Sequence, residues 1–286
     1  MSRADLPAEW PAPAKLNLFL HVTGRRADGY HTLQTVFRFL DLEDTLRFTP
    51  RADGAIRRVR DLPGVPAEAD LCVRAARALQ QATGCALGAD IALDKRIPLG
   101  GGLGGGSSDA ATTLLALNAL WGTGLDIAQL AGLGLGLGAD LPVFLHGRAA
   151  WGEGVGERLT PLDLPPAHYV LLAPPVTVAT ARIFAALELT ACSRAITIRD
   201  FHAGRGRNDL EPVARRLYPK VDKALKWLDK FGNARMTGSG GCVYLEVDDA
   251  ERGREIAAAC PPELAKAWVA RGVDVHPLMN WGVAKR

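Results

Sequence analysis

A run of glycine residues directly before an apolar helical segment constrains this chain more than any other feature of its sequence. Six of the seven residues in the range 100–106 are glycine, and two serines follow. Apolar residues then recur at helical spacing as far as Trp121, with Asp109 predicted in the first turn and Gly122 at the end. Because glycines have no Cβ atoms, the N–H groups of such a loop can converge on an anion at the positive end of the helix dipole. The pattern predicts a phosphate-binding loop.

The two most familiar phosphate-binding loops fit this stretch poorly. Gly100, Gly102 and Gly105 satisfy the spacing of a dinucleotide-binding loop. That loop follows a buried parallel strand, however, whereas the segment here alternates and ends at Pro98. The acidic residue expected about 20 residues later is Asp126, which does not end a strand. A P-loop needs a lysine after its last glycine, where this chain has two serines, so the type of phosphate site stays open.

Composition and charge argue against a nucleic-acid or membrane partner. The chain has 286 residues, enough for two domains, and its formal net charge of +3 indicates no basic surface for nucleic acid. No signal peptide is visible, and no stretch has the roughly 20 apolar residues of a membrane span. Its five cysteines are odd in number and scattered, which is typical of a reducing compartment and not of a disulfide framework or metal site. We therefore expect a cytoplasmic protein.

The first predicted strand carries two polar side chains on one face. Over residues 14–22 the sequence alternates, which predicts that Lys15, Asn17, Phe19 and His21 point to one side and the aliphatic residues between them to the other. Lys15 is then either a functional group or a solvated residue of an edge strand. The strand by itself does not decide between the two.

A hairpin is predicted after this strand. Asp28 and Gly29 form a turn signal, and a second strand with alternating apolar residues follows at 33–39. The tip of the hairpin carries Tyr30 and His31. These side chains would suit stacking on a base and hydrogen bonding to it, although a tyrosine packed against the sheet is the commoner arrangement.

Further strands and helices alternate along the chain and predict an α+β fold. We expect strands at 45–48, 91–93, 169–172, 242–247 and 268–270. Helices are expected at 71–82, 181–187 and 251–259, together with a stretch at 210–228 that Pro219 interrupts.

A carboxylate follows a segment whose structure the sequence leaves ambiguous. Residues 132–138 alternate glycine with leucine, which weakens a helix without excluding one. Asp140 comes next and either caps a helix or turn or acts as a functional acid. The pattern alone favours neither interpretation.

Glycine and proline mark a boundary and a second loop. Residues 151–166 are rich in both and form the best boundary between domains. We predict one domain at residues 1–158 and a second at residues 159–286. A second glycine loop, residues 237–241, connects a helix to a strand. By itself it is typical of a tight structural connection.

Six segments, in order over nearly the whole chain, closely resemble the GHMP kinase superfamily: PAPAKLNLFL, ADGYHTLQTVF, IPLGGGLGGGSSDAATTLLALN, LGADLPVFL, WGEGVGERLTPL and RMTGSGGCVYLEV. The combination of ADGYHTLQT with GGGLGGGSSDAA resembles the branch that uses ATP to phosphorylate the 2-hydroxyl of a methylerythritol linked to cytidine diphosphate, in non-mevalonate isoprenoid biosynthesis. The resemblance implies an N-terminal ATP-binding and catalytic half like domain 2 of ribosomal protein S5 and a ferredoxin-like C-terminal half, with the active site between them. It also implies that the leucine–glycine segment is helical, although Gly132, Gly134 and Gly136 make that helix softer than in related kinases.

The resemblance assigns roles to individual residues. Asp140 would orient the substrate hydroxyl or accept its proton, and Lys15 would stabilise that carboxylate and the transferring phosphoryl group. The implied ATP-binding residues are Pro98, Leu99, Gly100, Gly101, Gly102, Leu103, Gly104, Gly105, Gly106, Ser107 and Ser108. The implied substrate-binding residues are Asn17, Tyr30, His31, Thr180, Gly238, Ser239 and Gly240.

Magnesium is expected with ATP, but no carboxylate matches a clear metal ligand, and Ser107 or Ser108 is only a candidate. The expected partner is a small molecule with a cytidine diphosphate group, and the oligomeric state is not predicted. Two alternatives are another GHMP kinase, for homoserine or mevalonate, and a non-catalytic nucleotide-binding protein of the same fold. The ADGYH segment argues against another kinase, because without a base to bind Tyr30 would have no role.

Overall fold

The computed structural model describes residues 6–187 and 193–281, so Cys192, one of the five scattered cysteines, lies outside the described residues. The described residues form ten strands and nine α-helices. The strands are β1 (Trp10–Arg25), β2 (His31–Arg51), β3 (Ile56–Arg58), β4 (Gly88–Asp94), β5 (Ala150–Gly154), β6 (Arg158–Pro161), β7 (His168–Ala173), β8 (Arg235–Met236), β9 (Val243–Val247) and β10 (Lys266–Val273). The helices are α1 (Leu71–Thr83), α2 (Gly105–Trp121), α3 (Ile127–Leu135), α4 (Leu141–His146), α5 (Thr180–Ala185), α6 (Ile198–His202), α7 (Glu211–Leu217), α8 (Pro219–Leu228) and α9 (Ala250–Ala258).

One long strand, β2, organises the sheet. It pairs antiparallel with β1, β4, β5 and β10. The two strands predicted at 33–39 and 45–48 are one strand, and no glycine or proline lies between them. The path of the sheet runs β3-β4-β2-β10-β7-β9-β8, and only the β3–β4 pair among these is parallel. The strand nearest the C-terminus thus lies in the middle of the sheet.

Helix α2 is buried on nearly every side, against α1, α4 and the sheet. It begins at Gly105, whose preceding residue Gly104 adopts the left-handed conformation, and it ends at Gly122 as predicted. The prediction that Asp109 lies in the first turn is wrong, because Gly105, Gly106, Ser107 and Ser108 form that turn. Asp109 lies in the second turn and is almost fully buried.

The strict alternation predicted for β1 is wrong beyond Asn17. The pairing register with β2 shifts between Asn17 and Leu20, where β1 contains one extra residue. Such a bulge exchanges the two faces of a strand. As a result, Leu20 lines the same cavity as Lys15 and Asn17, whereas Phe19 packs against Trp151 on the other side.

The helix implied for the leucine–glycine segment is confirmed as far as Leu135, where α3 ends, whereas residues 136–140 are not helical and α4 begins at Leu141. The interruption predicted at Pro219 is also confirmed, since α7 ends before it and α8 begins with it. No helix among the described residues is long and apolar enough to cross a membrane.

The predicted domain boundary between residues 158 and 159 falls inside β6, which pairs with β5. Strand β10 pairs with both β2 and β7, so the sheet continues from one half of the chain into the other. The division into residues 1–158 and 159–286 stays a prediction.

Candidate active site

Lys15 and Asp140 meet in a cavity of about 250 Å³. Lys15 Nζ lies 3.1 Å from Asp140 Oδ2 and donates a hydrogen bond of 2.5 Å to Oδ1 of Asn17. The lysine side chain is only 2% exposed, so the interpretation as a solvated edge residue is wrong. Asp140 occupies the N-cap position of α4 but makes no capping hydrogen bond, and its side chain is 36% exposed. The carboxylate is therefore accessible while the ammonium beside it is buried.

The phosphate loop, residues 98–108, packs directly on Lys15. The backbone N–H of Lys15 donates a 2.9 Å hydrogen bond to the carbonyl oxygen of Leu103. A Cβ atom at Gly104 would lie 2.9 Å from Cε of Lys15 and 3.0 Å from the ring of Phe144. Gly104 also has a φ of 70°, which disfavours any residue with a side chain. Glycine here allows both the close approach and the turn into α2.

Within the phosphate loop, the residues divide into two parts. Residues 98–104 form the loop proper, in which Leu99 is 46% exposed. Gly105, Gly106, Ser107 and Ser108 form the first turn of α2. The backbone N–H of Ser108 donates to the carbonyl oxygen of Gly104, so it is the N–H groups of Gly105, Gly106 and Ser107 that lie at the positive end of the helix without a partner inside it. Ser107 lines the cavity with Lys15, whereas Ser108 is fully buried within the protein.

The second glycine loop lies against the phosphate loop. A Cβ atom at Gly102 would overlap the carbonyl oxygen of Thr237, and Cys242 N–H donates to the carbonyl oxygen of Gly101 at 2.9 Å. Asn17 N–H donates to the hydroxyl oxygen of Thr237, which ties the loop to β1 as well. The tertiary structure therefore brings together two loops that are more than a hundred residues apart in the sequence.

Most of the predicted substrate-binding residues lie in or beside the same cavity. Its lining includes Asn17, Thr180, Gly238 and Ser239, and the hydroxyl oxygens of Thr180 and Ser239 are 2.6 Å apart. Gly240 is not among the described residues that line it, because it packs against the sulfur of Met236.

A larger cavity of about 1000 Å³ adjoins the first. Its walls include Tyr30, which is 64% exposed, and His31, whose ring stacks on Phe184 with centroids 5.0 Å apart. Burial, together with the charge of Arg25, lowers the pKa of His31, so its imidazole is neutral at neutral pH. A neutral imidazole offers one hydrogen-bond donor and one acceptor. The residues shared by both cavities are Leu33, Ala139, Val155, Thr180 and Phe184.

Phe184 is a site residue that the sequence reasoning missed. A signal was present, because Phe184 follows Thr180 by four residues on α5 and therefore lies on the same face of the helix. Leu33, Ala139 and Val155 carry no such signal.

A magnesium ion at this site would be bound mainly by ATP, with few ligands from the protein. The described residues contain no group of three or more His, Cys, Asp or Glu side chains that could hold a metal ion. Magnesium in kinases is usually bound by one or two protein oxygens, with phosphate oxygens and waters completing its shell. Of the two candidate serines, Ser107 lines the cavity and would provide such an oxygen, whereas Ser108 is fully buried.

Comparison with known proteins places the chain in a family. Residues 70–148 match the model of the GHMP kinases N terminal domain, and residues 192–266 match that of the GHMP kinases C terminal domain. The 4-diphosphocytidyl-2-C-methyl-D-erythritol kinase of Aromatoleum aromaticum is 61% identical over 98% of this chain and 99% of its own length. This chain belongs to the same kinase family. The corresponding kinase of Dechloromonas aromatica is 56% identical over 94% of this chain and 98% of that relative.

Solved structures agree with this assignment. A crystal structure of 4-(cytidine 5'-diphospho)-2C-methyl-D-erythritol kinase has a TM-score of 0.80 and 37% identity, and the match covers 92% of this chain and 98% of that one. Homoserine kinase from Cytophaga hutchinsonii has a TM-score of 0.68 at 17% identity, over 95% of this chain and 96% of that one, which shows a shared fold. The expected α+β fold with two GHMP kinase domains is confirmed.

Proposed function

We propose that this chain transfers the γ-phosphoryl group of ATP to the 2-hydroxyl of 4-diphosphocytidyl-2-C-methyl-D-erythritol, giving the 2-phosphate and ADP in non-mevalonate isoprenoid biosynthesis. One observation carries the proposal. The cavity that holds Lys15 and Asp140 adjoins a larger one walled by Tyr30, His31 and Phe184. A long substrate with an aromatic base at one end and a reacting hydroxyl at the other matches this arrangement.

Asp140 and Lys15 divide the chemistry between them. Phosphoryl transfer has a loose transition state, so positioning and electrostatic stabilisation matter more than a strong base. The accessible carboxylate of Asp140 orients the substrate hydroxyl and accepts its proton. The ammonium of Lys15, 3.1 Å away, stabilises that carboxylate in its ionised form and the negative charge on the transferring group. Because Lys15 is buried, its charge is weakly screened by water.

The phosphate loop binds ATP in this proposal. The N–H groups of Gly105, Gly106 and Ser107 lie in the first turn of α2, where the helix dipole favours an anion. Gly238 and Ser239 of the second glycine loop line the cavity from the other half of the chain. Magnesium, when bound with ATP, would neutralise part of the phosphate charge, and the hydroxyl oxygen of Ser107 would help to hold it.

The larger cavity binds the cytidine. The exposed ring of Tyr30 stacks on the face of cytosine, and Phe184 adds apolar surface beside His31. The neutral imidazole of His31 matches the edge of cytosine, which presents an amino donor next to a ring-nitrogen acceptor. Asn17 and Thr180 line the stretch of cavity towards Lys15, where the methylerythritol part would lie.

ADP release by the purified chain, with ATP and 4-diphosphocytidyl-2-C-methyl-D-erythritol, tests the proposal directly. We expect ADP above background with this substrate and none with homoserine or mevalonate. Replacing Asp140 with asparagine should lower kcat by roughly 10² to 10⁴, the usual contribution of a positioned base, while ATP affinity is retained. No ADP release by the unchanged chain would contradict the function, and a near-normal kcat in Asp140→Asn would remove Asp140 from the mechanism.

A further inference from the structure

A buried cluster of three charged side chains lies beside the phosphate loop. Lys95 Nζ is 2.7 Å from Oδ2 of Asp109 and also contacts Oδ2 of Asp44. Asp44 is completely buried, Asp109 is nearly so, and the Lys95 side chain is 12% exposed. None of the three is among the described residues that line the two cavities. Their role is therefore not direct contact with groups in those cavities.

The cluster connects the two ends of the phosphate loop. Oδ1 of Asp44 accepts hydrogen bonds from the backbone N–H groups of Arg96 at 2.5 Å and Ile97 at 2.8 Å, the residues directly before the loop. Asp109 is the residue directly after the loop, and Lys95 joins its carboxylate to that of Asp44. Hydrogen bonds between charged groups are about twice as strong as neutral ones. The chain is thus anchored to Asp44 of β2 just before the phosphate loop. Just after the loop, Asp109 is held by the ammonium of Lys95, which also contacts Asp44.

The packing of the loop depends on this ammonium. A Cβ atom at Gly105, the first residue of α2, would lie 2.9 Å from Lys95 Nζ. The helix start, with its free N–H groups, therefore rests directly on the cluster. A displacement of Lys95 would shift the N–H groups to which the phosphates bind.

The cluster contains two acids and one base, so burying it costs free energy. Oδ1 of Asp109 has no hydrogen-bond partner among the described residues, and burial raises the pKa of Asp109 above its usual range although the charge of Lys95 opposes this. Replacing buried ion pairs by apolar side chains often stabilises a protein. A cluster of this kind is better explained by a need for defined geometry than by a contribution to stability.

We propose that Asp44, Lys95 and Asp109 are positioning residues that hold the phosphate loop in the geometry required by the ATP phosphates. The inference rests on the proposed function, because it assigns the loop to ATP. It predicts that damage to the cluster weakens ATP binding selectively and leaves the binding of the cytidine-linked substrate nearly unchanged.

The test compares Asp44→Asn with a matched control, Asp274→Asn. Asp274 likewise accepts a backbone hydrogen bond, from Leu164, and pairs with the buried Arg38, but it contacts no residue of the phosphate loop. Affinity for a non-hydrolysable ATP analogue is measured by calorimetry, together with KM for both substrates and the Tm. We expect the Kd for the analogue to rise between about 10-fold and 100-fold in Asp44→Asn, as for a small misplacement of binding groups, with KM for the second substrate almost unchanged. Asp274→Asn should lower the Tm without this change in Kd.

Lys95→Arg should retain most of the ATP affinity, because it keeps the charge, whereas Lys95→Met should lose it. If Asp44→Asn does not fold, Asp109→Leu is the second variant, since it leaves the hydrogen bonds of Asp44 to the backbone in place. An unchanged Kd for the analogue in the folded variants, or an equal rise in Asp274→Asn, would overturn the proposal. Absence of turnover by the unchanged chain contradicts the proposed function instead, because analogue binding is measured without any turnover.

Discussion

Lysines on strands are usually exposed, and the burial of Lys15 therefore needs compensation. Its ammonium has the carboxylate of Asp140 at 3.1 Å, the amide oxygen of Asn17 at 2.5 Å and the ring of Phe37 with its centroid at 5.6 Å. A buried charge left without such partners would cost several kcal/mol. These contacts come from three different elements of the fold and compensate for the burial of the ammonium where the proposed reaction needs a cation.

His276 lies outside the candidate site, and its burial makes the free energy of unfolding depend on pH. Its side chain is completely buried next to Phe39, and burial lowers its pKa to about 3. The unfolded chain therefore binds one more proton than the folded chain between about pH 6.5 and pH 3, and stability falls as the pH falls through this range. Between pH 7 and pH 4.5 the loss from this group is about 2 to 3 kcal/mol, at 1.4 kcal/mol for each pH unit below 6.5.

Urea unfolding of the wild type and of His276→Gln at these two pH values measures the effect. The difference in free energy of unfolding between the two pH values should be smaller in His276→Gln by the stated amount. His202→Gln, which replaces an exposed histidine, is the control and should behave like the wild type. An equal pH dependence in all three proteins would show that His276 is not a source of acid sensitivity.

Helix α3 forms in spite of its glycines because its start and its packing support it. Asp126 and Gln129 form a reciprocal capping box at its N-terminus. Gly134 lets the helix approach α4, since a Cβ atom there would lie 3.0 Å from Leu145 and 3.2 Å from Leu141. Leu141 follows Asp140 directly, so the contact between the two helices also helps to place the carboxylate of Asp140.

The two glycines inside α3 should respond differently to substitution. Gly132 is exposed, and a Cβ atom added there would have no other atom within 4 Å, so Gly132→Ala should raise the free energy of unfolding by roughly 0.5 to 1 kcal/mol. Gly134→Ala makes the same change in helix propensity but overpacks the contact with α4, and it should be at least about 1 kcal/mol less stable than Gly132→Ala. Chemical unfolding of both variants measures this, and equal shifts would contradict the packing explanation.

The candidate substrate path is lined by residues from several elements of the fold. Tyr30 and His31 come from the hairpin between β1 and β2, Phe184 comes from α5, and Asp140 comes from the start of α4. The sheet that carries β1 and β2 continues through β10 into β7 and β9, so both halves are joined by backbone hydrogen bonds. Because Tyr30 and His31 line the larger cavity and Asp140 lines the smaller one, base recognition and phosphoryl transfer can be tested separately.

Tyr30→Ala should weaken binding of the cytidine-linked substrate by roughly 1 to 3 kcal/mol, the usual contribution of stacking between a base and an aromatic ring. ATP affinity should stay unchanged, because Tyr30 lines only the larger cavity. Val59→Ala removes another exposed apolar side chain, one that lines neither cavity, and serves as the control. Calorimetry with each ligand measures both effects, and an unchanged substrate affinity in Tyr30→Ala would make the hairpin tip a purely structural feature.

Local patterns in the sequence predicted α2, its end at Gly122, the hairpin at Asp28 and Gly29, and the helix α1. These features depend on backbone preferences of neighbouring residues, which a short stretch contains in full. The resemblance to GHMP kinases added the helical state of the leucine–glycine segment, on which the local pattern was ambiguous.

Contacts between distant residues were decided only by the tertiary structure. The bulge after Asn17, which moves Leu20 to the side of Lys15, arises from pairing with β2. His31 stacks on Phe184, and Lys95 pairs with both Asp44 and Asp109. Both sets of contacts join segments that are far apart in the chain. The sequence by itself thus determined the glycine loop, its helix and the family. Only the fold decided which charges pair around that loop, because pairing depends on distances that no local pattern contains.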